Sequence, residues 1–212
     1  MLEWQWLQPL GKGFLLTLFY FVWTLVISVP MGLGIAMLQH SLPNWVRMMI
    51  QGFVYVFRGT PLLLQIMFVY FGLPLLGIVL QREQAALVTL ILNYTAYFIE
   101  IFRGGIQAVP PGQFEALKVL SINKWVGWRR VILPQVWCTV MPSIGNEVIT
   151  LIKDTSLIYV LGLDDLLKVG KTLANQQASL LPYVYVSIIY LLFTGFVSVL
   201  LQKIEQKMGK AL

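Results

Sequence analysis

The sequence predicts an all-α membrane protein with five transmembrane helices, and three observations carry that prediction. Only 11% of the 212 residues are charged while 58% are hydrophobic, and the mean hydropathy is +0.77. A soluble domain carries about a quarter charged residues, so the deficit points to lipid as the solvent. The apolar residues gather into runs long enough to cross the hydrocarbon, which takes roughly 20 residues at a rise of about 1.5 Å each. Between the third and fourth runs stands the longest polar interruption, Arg103 to Pro134, patterned with charges, breakers and bulky apolar residues.

The first span is Phe14 to Leu38, which holds no charge. It is long enough to remain in the membrane rather than serve as a cleaved leader. Ser28, Gly32 and Ala36 recur every fourth residue and form a small face for close helix packing; Pro30, in the same stretch, is a position for a kink. From Asn44 to Val56 the pattern is partly amphipathic, fitting an interfacial helix or the first turns of the next span. Gly59-Thr60-Pro61 then opens the second apolar run, to about Leu73, with Pro61 in the first helical turn where its missing N–H costs nothing. Gly72, Pro74 and Gly77 end it before the polar pair Arg82 and Glu83. The third span is Ala85 to Ile99; Asn93 and Tyr97 share a face, and Glu100 and Arg103 are neighbours at its end. Asn93-Tyr94-Thr95 matches a glycosylation sequon but lies inside this span, out of reach. The fourth span, Pro134 to about Ile152, carries Gln135, Thr139, Asn146 and Glu147, and a carboxylate inside a span is a functional hypothesis by default. Thr155 to Thr172 reads as a polar connector, and Leu181 to Leu201 is the fifth span.

Charge sets the orientation. The segments 39–58, 103–134 and 202–212 hold Arg47, Arg58, Arg103, Lys118, Lys124, Arg129, Arg130, Lys203, Lys207 and Lys210, against Lys12, Arg82, Lys168 and Lys171 on the opposite side. Positive charge stays in the cytoplasm, so 103–134 and the C-terminus are expected there and the N-terminus outside. A net charge of +6 could suggest nucleic acid or anionic lipid, but the basic residues fall between apolar spans with no run of their own, which favours neither. The single cysteine, Cys138, makes no internal disulfide. The single histidine, His40, has no cysteine or carboxylate nearby for a metal centre and supports no catalytic triad. Gly170-Lys171-Thr172 lacks the glycine a phosphate loop needs five residues earlier, where Asp165 stands. If ATP drives this protein, a partner binds it.

The polar stretch reads as two short helices around a turn. Pro110-Pro111-Gly112 breaks the chain, Gln113 to Leu120 is helical, Ser121-Ile122-Asn123 turns, and Lys124 to Ile132 is helical again. Phe114, Leu117 and Trp125 among the charges make it a docking knob. Gln113-Phe114-Glu115-Ala116, followed at the right distance by Val131-Ile132-Leu133-Pro134, resembles the EAA loop of bacterial ABC importer permeases. Phe57-Arg58-Gly59-Thr60-Pro61-Leu62-Leu63, Phe71-Gly72-Leu73-Pro74, the run from Asn93 to Gln107, and Leu151-Ile152-Lys153-Asp154-Thr155-Ser156-Leu157 match the pattern of the polar amino-acid permeases, the histidine/glutamate/glutamine/arginine type.

The resemblance covers residues 11–203 and implies a type I importer fold in that single domain, containing the coupling loop 103–134. Residues 1–10 are then an extracytoplasmic N-terminus and 204–212 a cytoplasmic tail. It implies a bacterial cell-membrane subunit that is no enzyme. Its partners would be a second permease copy or sister permease, two cytosolic ATPase subunits that bind the ATP and Mg, and an extracytoplasmic binding protein that delivers a polar amino acid. The coupling role carries over to Gln113, Phe114, Glu115, Ala116 and their neighbours Leu117, Ser121 and Trp125. Two of these depart from the pattern: Leu117 stands where a small alanine is preferred, and Ser121 where glycine would take positive φ freely, at a cost of about 1 kcal/mol for serine. A zwitterionic cargo needs acceptors for its ammonium and donors for its carboxylate, and the mid-span candidates are Gln65, Asn93, Tyr97, Asn146 and Glu147. The same fold carrying cystine or an opine, and a passive channel without an ATPase, are the alternatives.

Overall fold

The computed structural model describes residues 4–39 and 41–209. His40, the extreme N-terminus and the last three residues, with Lys210, lie outside the described residues, as do the sequence readings that fall on them.

The first apolar run belongs to α1 (Trp4–Gln39), an unbroken 36-residue helix that contains both Pro9 and Pro30. After a short turn come α2 (Asn44–Gly59) and α3 (Leu62–Met67), continued by a π turn Phe68–Gly72 and a 3-10 turn Leu73–Leu76. Gly77, at φ 81°, ends that segment in the left-handed region that glycine enters without strain. Then follow α4 (Arg82–Ala108), α5 (Pro111–Val119), α6 (Lys124–Gly127), a π turn Trp128–Ile132, α7 (Leu133–Asp154), a 3-10 turn Thr155–Leu161, α8 (Leu166–Gln177) and α9 (Leu181–Gly209). No strand occurs among the described residues.

Length and apolar composition mark α1, α4 and α9 as membrane-crossing. The α2 segment and the stretch 62–76 make a fourth span if counted as one, bent by 107° at the break between them. The fourth expected span, Pro134 to about Ile152, corresponds to α7, whose 22 residues reach about 33 Å. It does not meet the apolar criterion, because Gln135, Thr139, Asn146, Glu147, Lys153 and Asp154 interrupt it. Against the five spans expected, three or four qualify by length and composition among the described residues.

The core is organised around α4, which packs against α1, α2, α3 and α7. Its buried face includes Leu90, Asn93, Tyr94, Phe98, Phe102 and Ile106. The small face of α1 lies against it: Ser28 and Ala36 are buried, and a Cβ built at Gly32 would fall 2.5 Å from the Cβ of Phe98. Any side chain at position 32 would push the two backbones apart. On the other side of α4, a Cβ at Gly105 would meet Val140 of α7 at 2.2 Å.

The connector 155–172 is more ordered than its polarity predicts. Asp165 caps α8, accepting from the backbone N–H groups of Leu167 and Lys168 at 3.0 and 3.2 Å. Leu166 is buried, with Leu167, Val169 and Leu173 around it, in a small core shared with Trp6, Leu10 and Val186. The Leu166 N–H donates to Thr17 Oγ1 at 3.2 Å, and Thr17 in turn donates to the Gly13 carbonyl at 3.1 Å. So α8 is tied to α1 near its N-terminal end.

Candidate functional site

Two regions hold the residues singled out above: the polar knob between α4 and α7, and the cleft at the α2–α3 break.

The knob begins where Pro110 and Pro111 end α4 and start α5, proline fitting the first helical turn. The α5 helix closes with Ser121 at φ 51°. There the Ile122 N–H donates to the Leu117 carbonyl at 3.0 Å and the Ser121 N–H to the Lys118 carbonyl at 3.1 Å. These are the two bonds of a left-handed helix-ending motif, normally built on glycine. Serine therefore holds the geometry that the glycine-preferring position calls for. Asn123 caps the next helix, its Oδ1 accepting from the Trp125 N–H at 2.9 Å.

Leu117, the other departure, is matched locally. Its methyl groups lie over Gly127, where a Cβ would come within 2.9 Å of Leu117 Cδ1. Phe114 packs edge-on against Trp128 with ring centroids 6.1 Å apart. Both Phe114 and Leu117 are half-buried and rest on the main core, so they turn inward rather than project. The surface that does project is Gln113, Glu115, Ala116, Val119, Leu120 and Trp125; Val119 is 83% exposed and Trp125 65%. Bulky apolar groups so exposed beside a carboxylate form a surface suited to a protein partner. The two short helices around a turn lie where the sequence reading has them, but that reading missed Val119 and Leu120 on the outward edge; helical phase relative to Phe114 is the signal that separates them.

At the second region, α2 ends with carbonyls that have no helical partner. Gln65 donates to the carbonyls of Phe57 and Thr60 at 2.8 and 3.0 Å and lies 2.9 Å from Thr60 Oγ1. Asn93 donates to the Phe57 carbonyl at 3.1 Å and to Gln65 Oε1 at 2.9 Å. The two amides thus form one clamp on the break. Tyr97, one turn beyond Asn93, is half-buried beneath the Arg58 guanidinium, 5.3 Å from its ring centre. On α7, Glu147 is half-buried and Asn146 exposed.

A cleft of about 480 Å³ opens at the break, walled by Arg58, Pro61, Leu62, Asn93, Tyr97 and Asp154 among others. It brings Asn93 and Tyr97 together; Gln65, Asn146 and Glu147 are not on its wall. The charges that line it, Arg58 and Asp154, are absent from the set of candidates read from sequence. The available signal was a charge within each of the family-like segments 57–63 and 151–157, next to a Gly-Thr-Pro breaker in the first case. Asp154 Oδ2 accepts from the Tyr94 hydroxyl at 2.8 Å.

Residues 28–210 match the family model described as "Binding-protein-dependent transport system inner membrane component". The chain is 33% identical over 199 residues to a putative glutamine transport system permease protein of Rickettsia bellii, covering 93% of this chain and 91% of the relative. It is 35% identical over 201 residues to the arginine transport system permease protein of Bacillus subtilis, covering 94% and 89%. Among solved structures, it resembles that of an amino acid ABC transporter with histidines, at 32% identity and a TM-score of 0.86 over 96% of this chain and 95% of the other.

Proposed function

The chain belongs to the family of binding-protein-dependent transport system inner membrane components, and from that premise we propose how it is driven and what it carries. It is the membrane permease subunit of an amino-acid ABC importer, not an enzyme, and ATP hydrolysis belongs to a separate subunit. The cargo is a polar amino acid of the kind named for the relatives, glutamine or arginine. The permease pairs with a second copy or a sister permease, binds two cytosolic ATPase subunits, and receives cargo from an extracytoplasmic binding protein.

The observation that carries the coupling reading is the knob. Two short helices held by the Ser121 turn present Glu115, Val119, Leu120 and Trp125 outward from a segment that the charge distribution assigns to the cytosol. Leaving out Arg58, which stands in the last turn of α2 next to the break, the cytoplasmic set still holds nine basic residues against four, which supports that assignment. ATP-driven closure of the ATPases pulls the knob, and the knob moves α4 and α7, to which it is joined directly. The dimer then alternates between two discrete states, one open to each side. Tyr97 and Glu147 face the cargo's path, and Gln65 and Asn93 shape it by holding the α2–α3 break.

Copurification tests the coupling. The wild-type permease retains its ATPase partner through size-exclusion chromatography. Glu115→Lys, which reverses charge at the exposed edge, inserts normally but loses it. Retention of the ATPase by the variant contradicts the reading, and a passive channel predicts no ATPase in either preparation.

A further inference from the structure

The knob is joined to the membrane helices by two stalks, and neither is a continuous α-helix. On the α4 side, Val109 is extended, at φ −69° and ψ 127°, and Pro110 and Pro111 follow it. On the α7 side, the chain from Trp128 to Ile132 is a π turn. Such a turn fits one extra residue into a helix and is frequent at functional sites. Pro134 explains why it forms here. An α-helix would need position 134 to donate to the Arg130 carbonyl, but proline has no N–H and its ring would strike that carbonyl. The wider turn relieves the clash, and the Leu133 N–H reaches back five residues to the Trp128 carbonyl. The Arg129 carbonyl then has neither Leu133, whose N–H is already used, nor Pro134, which has none.

Two side chains just beyond the turn adapt to it. Gln135 Nε2 donates to the Val131 carbonyl at 2.8 Å, a donor on a flexible arm where backbone donors run short. One turn further on, Thr139 donates to the Gln135 carbonyl at 3.0 Å, a back-bond that favours bending of a helix. Between the stalks lies a cavity of about 430 Å³, with Ala108 and Pro110 on one wall and Pro134, Gln135 and Thr139 on the other. The knob itself is braced, Leu117 lying over Gly127 and Phe114 against Trp128. Beyond the stalks, α4 and α7 are pressed together at Gly105 and Val140. Two firm bodies are thus separated by soft joints that flank an open space.

We infer that the π turn Trp128–Ile132 is the hinge on which α4 and α7 tilt against the knob, and that Gln135 is the positioning residue that keeps the turn bonded as it flexes. The inference rests on the coupling reading above and adds where the motion is taken up. A hinge absorbs its change of φ and ψ in a few residues, so the knob keeps its seat on the ATPase while the packed helices change angle.

The test uses the complex of permease, ATPase and binding protein in proteoliposomes, with L-glutamine or L-arginine as cargo, whichever the wild type accumulates. Three quantities are read: retention of the ATPase through size-exclusion chromatography, ATP hydrolysis with and without cargo-loaded binding protein, and uptake. Deleting Arg130 together with Pro134→Ala removes the extra residue and supplies the missing N–H, so the helix closes in α geometry with α6 and α7 in the same phase. Arg130→Ala is the control for the lost charge and keeps wild-type uptake. The straightened variant retains its ATPase, but its stimulation by loaded binding protein and its uptake both fall roughly tenfold. Gln135→Glu, of the same size but acceptor-only when ionised, lowers uptake severalfold with the ATPase retained. Gln135→Lys, which restores a donor, recovers most of it; these two decide the matter should the deletion fail to assemble. Wild-type stimulation and uptake in the straightened variant, a loss that Arg130→Ala reproduces, full uptake by Gln135→Glu, or a Gln135→Lys no better than Gln135→Glu overturns the inference. A wild type that retains no ATPase, or whose hydrolysis ignores the binding protein, fails earlier and indicts the functional reading instead.

Discussion

Asn93 is the residue on which the membrane interior turns. Its amide and that of Gln65 serve the Phe57 and Thr60 carbonyls, which the end of α2 leaves without helical donors. In lipid there is no water to satisfy them, and each buried orphan costs several kcal/mol. Asn93→Leu is therefore expected to destabilise the permease by about 2–3 kcal/mol, from the lost bonds and the carbonyl left bare. Thermal unfolding in detergent checks this, and an unchanged midpoint would deny the clamp. Ser121 works in the opposite direction. It holds φ 51° at a position that favours glycine, so Ser121→Gly should stabilise the knob by about 1 kcal/mol. Slower amide exchange at Ser121 and Ile122 is the readout, with ATPase binding retained. The strain at Ser121 was legible in the sequence because a helix-ending turn is local. The clamp was not: Asn93 and Gln65 could be recognised as polar groups in apolar runs, but the carbonyls they serve lie on another helix, 36 residues from Asn93.

At the scale of elements, the long apolar helices were plain from composition, and what escaped was of two kinds. The bend of 107° after Gly59 follows from Gly59-Thr60-Pro61, which marks a break but not an angle; the angle is set by packing on α4. The α8 helix was hidden because its polar face dominates its composition, although Asp165 before an apolar Leu166 is a capping signal. Asp165 is fully buried there, and burial pushes its carboxyl up to about 6 in spite of the backbone N–H groups it accepts from. An unfolded aspartate titrates near 3.9. The folded state thus binds the proton more tightly, so the contribution to stability is complete below about pH 4 and is lost as pH rises through about 6. Amide exchange in α8 should accordingly be faster at pH 7.5 than at pH 5, once corrected for intrinsic rates. Asp165→Asn, which keeps the cap, should remove that difference; a difference that persists would place the titrating group elsewhere.

At the scale of the whole molecule, the knob and the cleft are joined by α4 and α7. The α4 helix carries Asn93 and Tyr97 in its middle and runs into the knob at Pro110; α7 leaves the knob at Leu133 and ends beside the cleft at Asp154. In the coupling proposed above, a displacement at the knob would reach the cleft through two packed helices, close enough at Gly105 that a methyl group would clash with Val140. The arrangement has a direction only if the knob faces the cytosol. A reporter fused after Leu212 should then read cytoplasmic, and an external signal would reverse the assignment.

The account's central claim is that this chain passes an amino acid when an ATPase pulls on its knob. The most direct measurement is ATP-driven uptake by proteoliposomes holding the permease, its ATPase and its binding protein, with radiolabelled glutamine or arginine outside and ATP within. Accumulation above equilibrium in the wild type, abolished in Glu115→Lys although the variant is inserted at the same level, is the predicted result. Equal accumulation by the variant, or uptake that ignores ATP, would contradict it.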